Sequence, residues 1–188
     1  MASPVAPDSP RWRLSRRRFL IGALAALILG VAAYLLISST GDEAAALDYH
    51  FETPEFEVRF PAEPTVETLP EAEDEPMTIA TWSEGLEGYS AMYSPVRAEE
   101  MTIDDALNSD FAGAGGTVEH AEERPLAGGQ ARFGQGVHED TGLPMWLYTA
   151  TLDGDEGIFS LMQIGEEENP AFFDSFEISA EFRESAGE

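Results

Sequence analysis

Past residue 47 the chain alternates apolar and polar positions in short runs, separated by glycine, proline and acidic residues; this is the signature of β-strands rather than long helices. Glu55-Phe56-Glu57-Val58-Arg59-Phe60 alternates strictly, placing Phe56, Val58 and Phe60 on one face before Pro61 and Pro64 stop it. Thr65–Leu69, Met77–Trp82 and Tyr89–Val96 read as further strands, with the acidic EAEDEP stretch as a loop. A helix is expected from Thr102, whose side chain caps a first turn holding Asp104 and Asp105, to the glycines near Gly113; Ile103, Ala106, Leu107 and Phe111 share a face. Four more strands follow at Thr117–Glu123, Gln130–His138, Met145–Leu152 and Gly157–Ile164, and Asp153-Gly154 marks a hairpin between the last two. Asn169-Pro170 opens a short closing helix, Ala171–Phe176.

These elements predict an α+β domain over residues 50–180: an antiparallel sheet of about six to eight strands with two helices segregated from it, followed by a disordered tail over 181–188.

The N-terminal part is a different material. Phe19–Gly41 carries no charge, and its apolar stretch, Phe19–Ile37, is 19 residues long. As a helix it covers about 28 Å, close to the hydrocarbon core of a bilayer. RWRLSRRR stands just before it and Asp42 and Glu43 just after, so the positive-inside rule places residues 1–18 in the cytoplasm and the acidic domain across the membrane, joined by a linker over 42–49. Ser15-Arg16-Arg17-Arg18-Phe19-Leu20 resembles the twin-arginine export motif, with Ser15, Arg16, Arg17, Phe19 and Leu20 as its targeting residues; such a motif implies export of a folded domain. Ala44-Ala45-Ala46 offers the small-residue pattern of a signal-peptidase site, so secretion after cleavage near Ala46 is the alternative to a retained anchor. Retention is favoured because the apolar stretch is longer than a usual signal h-region.

Charge sharpens this division. The chain of 188 residues carries a net −26, yet residues 1–46 are net +2 and residues 47–188 net −28, with no lysine anywhere. So acidic a domain repels phosphate backbones, which sets nucleic acid aside as a partner, and it has little attraction to anionic lipid. The composition is also that of halophilic or very GC-rich proteomes. With no cysteine, disulfides, thiolate metal sites, cysteine nucleophiles and lipidation at cysteine are excluded.

Catalytic signatures are equally sparse. G-x-S-x-G is absent and S-x-x-K is impossible without lysine. Gly128-Gly129 and Gly134-x-Gly136 make no phosphate-binding loop and are read as strand turns or bulges. For a metal, His138, Glu139 and Asp155 are the nearest candidates, from His138-Glu139-Asp140 and the turn Asp153-Gly154-Asp155-Glu156-Gly157. Adjacent strand residues point to opposite faces, however, and the turn lacks an EF-hand's twelve-residue loop, so neither closes a site alone. No cofactor is called for.

The order of strands, helix, four-strand meander and closing helix, with Phe56-x-Val58-x-Phe60-Pro61-x-x-Pro64 and Phe172-Phe173-x-Ser175-Phe176, resembles the PsbP/Mog1-like superfamily over about residues 50–180. That resemblance implies an accessory or partner-binding domain with no shared active site. The reading is therefore a membrane-tethered, non-catalytic extracytoplasmic domain with a protein partner in the envelope. A module for a divalent cation or small ligand is the second reading, and a hydrolase the least supported.

Overall fold

The computed structural model describes residues 45–70, 76–95, 101–152 and 157–186. The expected membrane segment Phe19–Gly41, the targeting residues Ser15 to Leu20 and the candidate ligand Asp155 lie outside them. Among the described residues no helix is long and apolar enough to cross a membrane.

Chain order runs β1 (Tyr49–Glu52), β2 (Phe56–Phe60), β3 (Thr65–Pro70), β4 (Pro76–Glu84), β5 (Glu87–Ser94), α1 (Ile103–Gly113), β6 (Gly116–Glu123), β7 (Gln130–His138), β8 (Pro144–Thr151), β9 (Ile158–Ile164), α2 (Pro170–Asp174), β10 (Glu177–Ile178) and α3 (Ala180–Ala186). Seven strands form one antiparallel sheet in the order β3-β4-β5-β9-β8-β7-β6, and β1-β2-β10 form a second, small one. The α+β expectation holds. Among the described residues the strand count exceeds it by the short β1 and β10, and three helices stand where two were expected.

The small sheet and α2 cover one face of the large sheet. Phe56, Val58 and Phe60, alternating along β2, meet Phe172, Phe173 and Phe176 against Tyr89, Tyr93, Tyr148, Phe159 and Leu161, all buried. The rings pack at tilted and edge-on angles, as between Phe60 and Phe172 (centroids 5.7 Å) and Phe56 and Phe176 (5.8 Å). On the opposite face, α1 lays Leu107 and Phe111 on Met145, Leu147, Met162 and Ile164. Strands β8 and β9 are thus covered on both sides, which is why IFSLMQI is buried at all seven positions and lacks the alternation of a half-exposed strand.

Helix α1 begins where its sequence signal stands. Thr102 Oγ1 accepts from Asp105 N (3.1 Å) while Asp105 Oδ2 accepts from Thr102 N (3.1 Å), a reciprocal box that satisfies two otherwise unpaired donors. It ends at Gly113, and Gly115, with φ +73°, turns the chain into β6.

Three expectations are corrected. Gly134-x-Gly136 is neither turn nor bulge: both glycines lie inside β7, facing α1, where a Cβ on Gly134 would stand 2.7 Å from Phe111 Cε2 and one on Gly136 1.9 Å from the Thr117 carbonyl. The irregularity lies in β6, between Val118 and His120. The tail over 181–188 was expected to be disordered, but its residues through Ala186 belong to α3, with Phe182 against Tyr93 (5.1 Å) and Phe159 (5.7 Å). Finally, the supposed linker over 42–49 is packed from Ala45 onward: Ala45, Leu47, Tyr49 and Phe51 lean on the core while the residues between them are exposed.

Candidate functional site

Cationic groups are scarce in so acidic a domain, and three of its five arginines gather around one corner, the Leu126–Gly129 turn between β6 and β7. A surface pocket of about 260 Å³ opens there, lined among others by Ile103, Arg124, Pro125, Gly129 and Arg132. Arg132 holds Asp104 of α1 in a two-pronged pair (Nε–Oδ1 2.7 Å, Nη2–Oδ2 3.1 Å), with Glu123 at 3.7 Å. Arg124 stacks on Phe133, 3.9 Å from the ring centroid; it donates to Tyr148 Oη (3.1 Å) and to Glu122 (2.6 Å), with Glu168 at 3.8 Å. The Tyr148 hydrogen bond and the neighbouring carboxylate raise the Arg124 pKa, and the Asp104 pair raises that of Arg132. Arg183 of α3 donates to the Ala127 carbonyl, in a turn where Ala127 itself has φ +48°. The corner is neutralised from within, and its arginines act as ties between elements.

Of the candidate metal ligands, His138 and Glu139 lie among the described residues and Asp155 outside them. His138 is buried in the β7–β8 turn, with Nδ1 2.9 Å from Thr141 Oγ1 and accepting from Thr141 N at 3.3 Å, while Glu139 is exposed beside it. His50 and His120 stand beside Glu57 (3.0 Å) and Glu122 (3.8 Å) on exposed strand faces. Among the described residues no group of three or more His, Asp or Glu side chains is placed to hold a metal ion.

Two polar centres were not singled out from sequence. Asp110 lies on the packed face of α1, one turn from Ala106 and Leu107, and accepts from Ser160 Oγ (2.6 Å) and Thr149 Oγ1 (3.3 Å) on the sheet beneath. Burial pushes its pKa up to about 6, against the lowering effect of the two hydroxyls. Its signal was present as an acid interrupting the apolar stripe of a helix.

The second centre is Asn169. It stands before α2 as expected, yet its side chain makes no capping hydrogen bond. Instead Nδ2 donates to the Ala45 carbonyl (3.2 Å) and to Tyr89 Oη (3.3 Å), and its backbone N–H donates to Gln163 Oε1 (2.7 Å), whose Nε2 reaches the Glu167 carbonyl (2.8 Å). Asn169 is 5% exposed and Gln163 is fully buried. Burial drives the Tyr89 pKa to about 12, opposed by Asn169 and reinforced by Glu87. No local pattern announces this centre, because its members come from three separate parts of the chain: Ala45, Tyr89 and the stretch from Gln163 to Asn169.

At the far edge of the large sheet, β3 pairs on one side with β4, and Thr65 to Thr68 are exposed, including Val66 at 47%. No protein-family model matches the chain, and no curated protein matches it in sequence.

Proposed function

We propose that this protein is a single-pass, membrane-tethered extracytoplasmic domain that binds a protein partner or supports an envelope complex, without catalysis of its own. The observation that carries the reading is the abrupt change of material along the chain: a basic flank, the uncharged run Phe19–Ile37, and then a net −28 domain in which Ala45 and Leu47 already lean on the core. In this reading the N-terminus is cytoplasmic and Ser15, Arg16, Arg17, Phe19 and Leu20 direct export.

Support for binding rather than chemistry comes from where the reactive side chains go. Arg124 and Arg132 tie elements together and His138 is spent on its own turn. The exposed edge of β3, with Val66 on its surface, is a natural place for a partner strand to pair. Membership of the PsbP/Mog1-like superfamily is part of the proposal, supported by the element order and by the packing of its two aromatic segments on each other.

The test is Ile28→Arg in the middle of the apolar run. A charge at the helix centre costs about 2.5–3.5 kcal/mol of insertion, so the variant is expected to leave the membrane fraction on washing while the native chain stays. Equal retention of the two would sink the tether.

A further inference from the structure

The Ala44-Ala45-Ala46 motif offers the small-residue pattern of a processing site, and the fold packs Ala45 against the domain. From Ala45 to Glu52 the chain runs with alternate residues half-buried and exposed, so Ala45 and Leu47 both face the aromatic core and Ala46 faces out. The Ala45 carbonyl is held by Asn169 Nδ2, and Asn169 is in turn fixed by Gln163 and Tyr89 in a buried network. Lifting the run off the domain strips Leu47 of its apolar contacts and leaves a buried amide donor short of an acceptor, a group that is costly to leave unpaired.

An endopeptidase needs the segment lifted clear of the domain on both sides of the bond. It takes its substrate as an extended segment, pairing with backbone on both sides of the bond to be cut, and folded proteins are nicked where that backbone is exposed and unpaired. Ala45 and Leu47 flank Ala46, whose bond to Leu47 would be cut, and both are committed to the domain.

We propose that the folded domain masks its own candidate processing site, with Asn169 as the latch on Ala45 and Leu47 as the apolar plug. Hydrolysis of the Ala46–Leu47 bond, in which water supplies hydroxyl to the Ala46 carbonyl and a proton to the Leu47 nitrogen, then proceeds only through local opening. A chain exported already folded keeps its apolar segment, whereas one threaded across unfolded offers the motif freely. This consequence rests on the proposed tether; the masking is a property of the domain and is tested apart from it.

The experiment uses the full chain in detergent micelles and pancreatic elastase, which cuts after small residues, with a synthetic peptide of residues 42–52 as the unprotected reference. Cleavage at Ala46–Leu47 is read from the intact mass of the 47–188 fragment. The folded chain is expected to be cut at least about tenfold more slowly than the peptide, as follows when cleavage tracks a minor open population. Asn169→Ala is expected to raise the rate about fivefold, the loss of one hydrogen bond in the closed form. Leu47→Ser, compared with a peptide carrying the same change, provides a second opening variant should the first fail to fold, and thermal melts separate local from global loosening. Equal rates for chain and peptide overturn the masking, and so does a rate that neither substitution moves in a folded variant. Loss of the Ile28→Arg effect would remove the tether while leaving this protection in place.

Discussion

Gly136 shows how little room α1 leaves above the sheet. A Cβ there would lie 1.9 Å from the Thr117 carbonyl and 2.9 Å from Phe111 Cε1, and neither backbone nor buried ring can yield cheaply. Gly136→Ala is expected to cost about 3 kcal/mol, read as a lowered urea midpoint, while Gly142→Ala, with open space around it but φ +70°, tests backbone strain alone. Asp110 is the complementary case, a polar group the packing tolerates at a cost. Its folded pKa of about 6 lies above the ordinary 3.8, so the native state holds the proton more tightly than the unfolded chain does. Its contribution to stability is therefore greatest below about pH 4 and is lost as pH rises to about 6. Asp110→Asn is expected to erase that slope and to be about 1–2 kcal/mol more stable than the native protein at pH 8, as measured by paired denaturation curves. A variant that is less stable at every pH would mean that the charged form is needed by Ser160 and Thr149.

At the scale of elements, α1 depends on the Thr102–Asp105 box, which also lowers the Asp105 pKa through the Thr102 hydrogen bonds. Thr102→Ala is expected to cost about 1 kcal/mol, seen as a fall in melting temperature with the fold intact. The same box is why this helix was legible in the sequence to within a residue, and strict local patterning likewise gave β7 its observed bounds, Gln130–His138. What escaped was non-local. β10 is two residues long and exists because Glu177 and Ile178 pair with Glu57 and Phe56 of β2. The sequence of α3, AEFRESA, has one large apolar residue, Phe182, which docks beside Tyr93 and Phe159. Glycines inside β7 looked like punctuation because the helix they make room for is more than twenty positions upstream. The same holds for the sites: His138 and Glu139 were visible as neighbours, but the distant partners of Asn169 were not.

For the whole molecule the dominant fact is a domain of net −28 folded around an aromatic core. Self-repulsion at that charge is relieved by ionic strength, so the melting temperature of residues 45–188 is expected to climb alike in sodium and magnesium chloride at matched ionic strength. A saturable rise at micromolar magnesium or calcium, worth about 2.7 kcal/mol at a hundred times the dissociation constant, would instead establish a cation site. The small sheet adds a constraint of another kind. Its middle strand β2 is flanked by β1 from the start of the domain and β10 from its end. During synthesis Phe56 and Phe60 therefore emerge early and wait for Phe172 and Phe176, more than a hundred residues later. The small sheet closes only once Phe172 to Ile178 have been made, so a premature stop before Phe172 leaves a sticky nascent chain in place of a shortened protein.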